Sequence, residues 1–117
     1  MKLLERFNIG CSGKTALNRV VLAPMTNTQS NIDGTLGDDE YNWLVRRAEG
    51  KFGIIISCAA HVSLDGQGWE NQLGIYDDKH IAGLTKLAKG IHKHDSLAII
   101  QLYHGGARSP EKITGKQ

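Results

Sequence analysis

The sequence predicts an α/β chain built on a parallel sheet. Three short apolar runs, Val20–Ala23, Phe52–Ser57 and Leu97–Leu102, are rich in β-branched residues and continuous rather than alternating. Such runs mark strands covered on both faces, as parallel strands usually are. A helical pattern lies in each interval between them, and each interval exceeds the ~30 residues that a βαβ unit takes. The order strand, helix, strand, helix, strand therefore fits two right-handed crossovers.

Taken in order, the first element is a small hairpin. Phe7–Ile9 and Thr15–Leu17 flank a turn bounded by Gly10 and Gly13. The strand at Val20–Ala23 follows and stops at Pro24. The first helix is carried by Tyr41, Leu44, Val45 and Ala48, which recur at i, i+3, i+4 and i+7 and make one apolar face. Asp38, Asp39 and Glu40 suit its N-terminus, Arg46, Arg47 and Lys51 its C-terminal end, and Gly50 is the expected left-handed residue after it. Ser63–Ile75 reads as a long polar, glycine-containing loop. The second helix begins at Asp77–Asp78, runs through Ile81, Leu84, Leu87, Ala88 and Ile91, and ends in His92, Lys93 and His94. The polar tail from Ser109 shows no further core element.

Composition narrows the function. Of 117 residues, 40% are hydrophobic and 22% charged, which is globular rather than disordered. A formal charge of +2, with no Lys/Arg block, argues against a nucleic-acid partner. The N-terminus carries charges where a signal peptide needs apolar residues, and the longest apolar run falls far short of the ~18 residues of a membrane span. The two cysteines, Cys11 and Cys58, are expected to be free thiols of a cytoplasmic protein.

Gly10-Cys-Ser-Gly-Lys-Thr15 looks like the end of a phosphate-binding P-loop, but Asn8 stands where the first glycine belongs and Pro24 follows too soon for the helix. A nucleotide binder on this motif is the weakest reading, and a hairpin turn the better one. No dinucleotide fingerprint opens a helix after a strand: Gly66-Gln-Gly68 and Gly105-Gly106 both lack the third glycine. The five His show no metal-ligand spacing. His92 and His94 read as solvated, and His80 as an exposed first-turn residue. His61 and His104 each follow a strand, where either local structure or function places a His.

The residues that point to chemistry lie at the strand ends, Ala23-Pro-Met-Thr26, Cys58-Ala-Ala-His61 and Gln101-Leu-Tyr-His104. Ligands of α/β sheets bind at the C-terminal edge of the strands. Small Ala59 and Ala60 leave room for a flat ring, Thr26 offers a hydroxyl, and Gln101 offers donors and an acceptor. A buried Gln must pair its amide, either with a bound heterocycle or with a neighbouring strand.

These segments also carry a resemblance. Leu17-Asn-Arg-Val-Val-Leu-Ala-Pro-Met-Thr26, Tyr41, Arg47-Ala-Glu-Gly50, Gly53-Ile-Ile-Ile56, Val62-Ser63, Gly66-Gln-Gly68, Gly74-Ile75 and Gln101-Leu-Tyr-His-Gly-Gly106 resemble, in order and spacing, the old yellow enzyme family of flavin oxidoreductases. The resemblance covers about Phe7 to Arg108. It implies a (β/α)8 TIM barrel that holds FMN, takes hydride from NADH or NADPH, and delivers it to a small-molecule activated alkene. Carried over by position, Pro24, Met25 and Thr26 would line the reactive side of the flavin, Ala59 would sit beside its pyrimidine ring, and Gln101 would contact that ring. The chain departs from the family at Ser57-Cys58, where many members have Thr-Glu, at Thr28, where some have Tyr, and at Arg108, which comes one residue late.

A complete barrel needs roughly 250 residues. The expectation is therefore the N-terminal part of such a barrel, residues 1–117 with about three strands and two helices behind a short N-terminal hairpin. The family's substrate-anchoring His pair and proton-donating Tyr come after the fourth strand, so no catalytic residue is expected in this chain, which alone would be inactive. It would need the rest of the barrel or self-association. The alternative is a non-catalytic binding or assembly module derived from the barrel.

Overall fold

A computed structural model describes residues 2–115. Strands β1 (Phe7–Asn8) and β2 (Thr15–Ala16) form an antiparallel hairpin, with Phe7 opposite Ala16. Strands β3 (Val21–Leu22), β4 (Ile54–His61) and β5 (Leu97–Tyr103) form a parallel sheet in the order β3-β4-β5. Helix α1 (Asp38–Glu49) crosses from β3 to β4, and α2 (Ile81–His92) from β4 to β5. A single turn, α3 (Glu111–Thr114), forms in the tail that the sequence leaves blank.

The apolar faces of both helices cover one side of the sheet. Leu44 and Ala48 of α1, Leu87 and Ile91 of α2 and Ile55 of β4 make the core, with Leu22, Tyr41, Val45 and Ala98 packed around them. Burying each large aliphatic side chain contributes about 1.5–3 kcal/mol. At α2 the expected stripe is only partly right, because Ile81 is 59% exposed. Leu84 and Ala88 instead line an open apolar cleft with Ile75 and Ile100 beside β5.

Only β4 is buried on both faces. Val21 on β3 is 43% exposed, and Ile99 and Leu102 on β5 are 46% and 62% exposed. The apolar runs correctly mark strands, but β3 and β5 are edges of this sheet, and α1 and α2 cover one side only. β3 is also shorter than its apolar run. Asn18 fixes its start: the side chain donates to the Lys51 carbonyl at 2.7 Å and accepts the Val20 N–H at 3.0 Å.

The helix ends differ from expectation in two places. Gly50 has a right-handed φ of −71°, and Lys51 takes the left-handed position at φ 68°. The helical hydrogen bonds run one residue further, with Lys51 N–H donating to the Ala48 carbonyl. At the other helix, Asp77 caps a 3-10 turn, Asp78–His80, by accepting the Lys79 N–H, and α2 proper starts at Ile81.

Candidate functional site

The C-terminal half of β4 positions the site through a break in its ladder. Ile54, Ile55 and Ile56 face Leu97, Ala98 and Ile99, but the next pairs are Ala59 with Gln101, Ala60 with Leu102 and His61 with Tyr103. β4 thus spends one residue more than β5 between Ile56 and Ala59, a bulge. Alternation along β5 puts Leu97, Ile99 and Gln101 on the face away from Ile55 and the helices. Without the bulge Ala59 would share the helix-covered face with Ile55. The bulge turns it instead to the face away from the helices, beside Gln101, where it is 7% exposed.

Ser57 fills the gap in the ladder. Its hydroxyl accepts the Gln101 N–H at 3.1 Å and donates to the Cys58 carbonyl at 2.7 Å. Gln72, 1% exposed, braces the same strand from the other side. Its amide donates to the Ala59 carbonyl at 3.2 Å and accepts the Gly68 N–H at 2.8 Å, tying the Ser63–Ile75 segment to β4. No sequence pattern singles out Gln72, a lone polar residue before Leu73-Gly74.

Pro24, Met25 and Thr26 continue from the end of β3 along the C-terminal half of β4. The Asn27 backbone lies next to Cys58, which puts Thr26 beside the Ala59 region. Met25 is 54% exposed, and Thr26 is exposed. Gln101 is exposed too, and its side-chain amide forms no hydrogen bond among the described residues, so of the two alternatives the pairing with a neighbouring strand is not made. The five predicted residues therefore gather at one sheet edge: Ala59 and Gln101 side by side, and Pro24–Thr26 along the adjoining strand end.

The histidines divide differently from expectation. His80 is not an exposed first-turn residue but 2% exposed, because the 3-10 turn swings it inward against Gly74 and Tyr76. His61, 1% exposed, ends β4 with Nδ1 2.9 Å from the Ser63 carbonyl, and its ring lies 4.9 Å from that of Tyr76. Burial, foremost, lowers the pKa of both His61 and His80. His104 accepts the Gly106 N–H at Nδ1, 3.0 Å away, and packs on Gly66, where a Cβ would come within 2.5 Å of its ring. Gly68 seats the Tyr103 ring in the same way, at 2.6 Å from the hydroxyl. The Gly66-Gln-Gly68 pair thus makes room for two side chains at the end of β5. All three histidines make contacts within the local fold.

The P-loop reading fails on geometry. Gly10–Ser12 is a 3-10 turn inside the hairpin, Gly13 is left-handed at φ 67°, and Thr15 enters β2 rather than a helix. Lys14 donates its N–H to the Ser12 hydroxyl at 3.1 Å, so the loop is closed on itself. Among the described residues no group of three or more His, Cys, Asp or Glu is placed to hold a metal ion, and no helix is long and apolar enough to cross a membrane. Cys11 is exposed and Cys58 buried, both unpaired with each other.

A family model described as the NADH:flavin oxidoreductase / NADH oxidase family matches residues 2–117. The chain belongs to that family. A probable NADH-dependent flavin oxidoreductase of Bacillus subtilis (strain 168) is 38% identical over 106 residues, covering 91% of this chain and 28% of that protein. An NADPH dehydrogenase of Halalkalibacterium halodurans is 38% identical over 98 residues, covering 83% of this chain and 29% of that protein. Among solved structures, the old yellow enzyme homologue from Zymomonas mobilis superposes with a TM-score of 0.90 at 28% identity, over 100% of this chain and 32% of its own. The chain thus spans about a third or less of these relatives, and its sheet and helices superpose on part of a TIM barrel. FMN is the flavin of the NADH:flavin oxidoreductase family, and NADH or NADPH the reductant.

The residues present suit such a flavin. Its isoalloxazine ring is flat and carries both donors and acceptors on one edge. The face away from the helices offers small, largely buried Ala59, an unengaged and exposed Gln101 amide next to it, and the exposed Thr26 hydroxyl on the neighbouring strand end.

Proposed function

We propose that the flavoprotein to which this chain contributes reduces activated alkenes at the expense of NADH or NADPH. In this reading residues 1–117 are the N-terminal part of the barrel, and Pro24, Met25, Thr26, Ala59 and Gln101 are one wall of the FMN site. The observation that carries it is the register pair Ala59 and Gln101 on the face that the helices leave open.

FMN, when bound, supplies the two-electron chemistry that links the nicotinamide to the alkene. The residues of this chain bind and orient it. Gln101 presents an amide that can both donate to and accept from a ring edge. Ala59 keeps its strand flat enough for the ring to approach the backbone. Thr26 holds a hydroxyl where it can donate to or accept from the ring and so tune its electron affinity. Pro24 and Met25 shield the same side from water. None of the five is a group that delivers a proton, so that step and the anchoring of substrate fall to residues outside this chain. By itself the chain would be inactive.

The test is a complete flavoprotein purified with its flavin. Stoichiometric FMN, alkene-dependent oxidation of NADH or NADPH, and weaker FMN binding in Gln101→Ala are expected. FMN affinity unchanged in Gln101→Ala would refute the wall assignment. Measuring the flavin content and oligomeric state of the 117-residue chain separates the readings. A stable FMN-free oligomer would favour an assembly module, and a monomer with stoichiometric FMN would refute the need for the rest of the barrel.

A further inference from the structure

Behind the residues assigned to the cofactor wall lies a buried polar cluster with no role so far. Glu40, the third residue of α1, is 1% exposed and carries a carboxylate into the interior. Ser30, 5% exposed, donates its hydroxyl to Glu40 Oε2. Cys58, 4% exposed and within the β4 bulge, faces the same carboxylate. Burial first, and then the charge of Glu40, push its thiol far above the ordinary range, so it is neutral and unreactive. The Asn27 backbone lies beside its sulfur.

The backbone follows the same path. Gly37, just before α1, packs so closely on Gln29 and Ser30 that a Cβ there would collide with the Gln29 carbonyl. Asn27 Oδ1 accepts the Gln29 N–H at 3.2 Å, which turns the chain between them. Asn27–Ser30 is therefore clamped between the first turn of α1 and the β4 bulge, and Thr26 is the residue immediately before the clamp.

A buried carboxylate is a costly way to fasten a loop, since taking the charge out of water costs several kcal/mol and apolar packing would stabilise as well or better. Glu40 Oε1 and Asn27 Nδ2 are also buried with no hydrogen-bond partner. What the cluster does provide is directional: the Glu40 acceptor on α1 fixes Ser30, while Cys58 on β4 packs beside the Asn27 backbone.

We propose that Glu40 is a positioning residue that, through Ser30 and alongside Cys58, sets where Thr26 stands against the flavin. This rests on the assignment of Pro24–Thr26 to the cofactor wall. Glu40 touches neither cofactor nor substrate, and it acts by holding the segment that does.

The test uses the complete flavoprotein and three variants: Glu40→Gln, which keeps the shape and removes the charge, Ser30→Ala, which removes only the donor, and Asp39→Asn, an exposed neighbour in the same helical turn. Glu40→Gln and Ser30→Ala are expected to shift the visible absorption and the reduction potential of the bound flavin in the same direction. They should also weaken FMN binding, by up to roughly tenfold, as Thr26 loses its set position against the flavin. Asp39→Asn should match the wild type. Lower melting temperatures with an unchanged spectrum and potential would overturn the proposal and leave the cluster a purely structural one. Should Glu40→Gln fail to fold, Ser30→Ala decides by the same readouts. If Gln101→Ala loses FMN while Glu40→Gln and Ser30→Ala do not alter the flavin, this inference alone falls. A wild-type protein without flavin would overturn both it and the wall.

Discussion

Ala59 and Gln101 stand side by side on β4 and β5 because β4 carries one extra residue between Ile56 and Ala59. A regular ladder would turn Ala59 toward Ile55 and the helices. Ser57 makes the irregularity stable, since its hydroxyl takes the Gln101 N–H that the broken ladder leaves without a backbone acceptor. Ser57→Ala should therefore destabilise the protein by about 0.5–1.5 kcal/mol, the net worth of one hydrogen bond at a part-buried site. Denaturant unfolding gives the magnitude, and hydrogen exchange at the Gln101 amide should speed up relative to that at Ala98. Unchanged exchange at Gln101 would show that the hydroxyl is not its acceptor.

Enlarging Ala59 tests the face itself. Ala59→Leu puts a branched side chain onto the surface assigned to the flavin, beside Gln101. Overpacking should cost about 1–3 kcal/mol of stability, yet the complete protein should still fold and emerge largely free of FMN. Visible absorbance of the purified variant, compared with its far-ultraviolet circular dichroism, separates the two effects. A variant that retains full flavin content would remove Ala59 from the site.

Lys51 occupies a left-handed backbone at φ 68°, where a side chain costs about 1–2 kcal/mol and glycine costs almost nothing. Lys51 is exposed, so nothing else is lost on truncation. Lys51→Gly should stabilise the protein by about 0.5–1 kcal/mol after the greater freedom of glycine in the unfolded chain is set against the relief. Thermal unfolding checks it, and a lower midpoint would contradict the strain.

The parallel strands, both helices and the hairpin were legible because each rests on a local pattern: continuous β-branched runs, a 3.6-residue stripe, and glycines at a turn. The strand ends drew attention as a candidate site for the same reason, since Pro24 and Gln101 interrupt apolar runs where α/β sheets bind ligands. The bulge was not, because an extra residue in β4 is defined only against β5, some forty residues on. His80 was misplaced because an ideal helix from Asp77 points it at solvent, whereas the 3-10 turn rotates it inward. Lys51 rather than Gly50 took the left-handed position because the helix ran one residue longer than its composition implies. The partners of Ser30, Glu40 and Gln72 are set by how loops fold back on α1 and β4, which no hydrophobic periodicity records.

The buried histidines make stability depend on pH. His61 and His80 flank Tyr76, with ring centroids 4.9 and 4.7 Å from it. His61 Nε2 and both nitrogens of His80 lie buried without hydrogen-bond partners. Both pKa values are lowered from 6.5, by burial first, then for His80 by Lys79 and by His61 itself, while Asp33 and Asp77 act weakly the other way. The folded state therefore binds fewer protons than the unfolded chain just below pH 6.5. Where the unfolded state binds more protons, stability rises with pH. The contribution is thus fully present above about 6.5 and is lost as pH falls from there through the lowered folded values. His80→Phe keeps a flat ring in the same space and cannot take up a proton. It should flatten the fall in unfolding free energy between pH 7 and pH 5, with His61 accounting for what remains. Parallel pH profiles for wild type and His80→Phe would show that the loss comes from other groups.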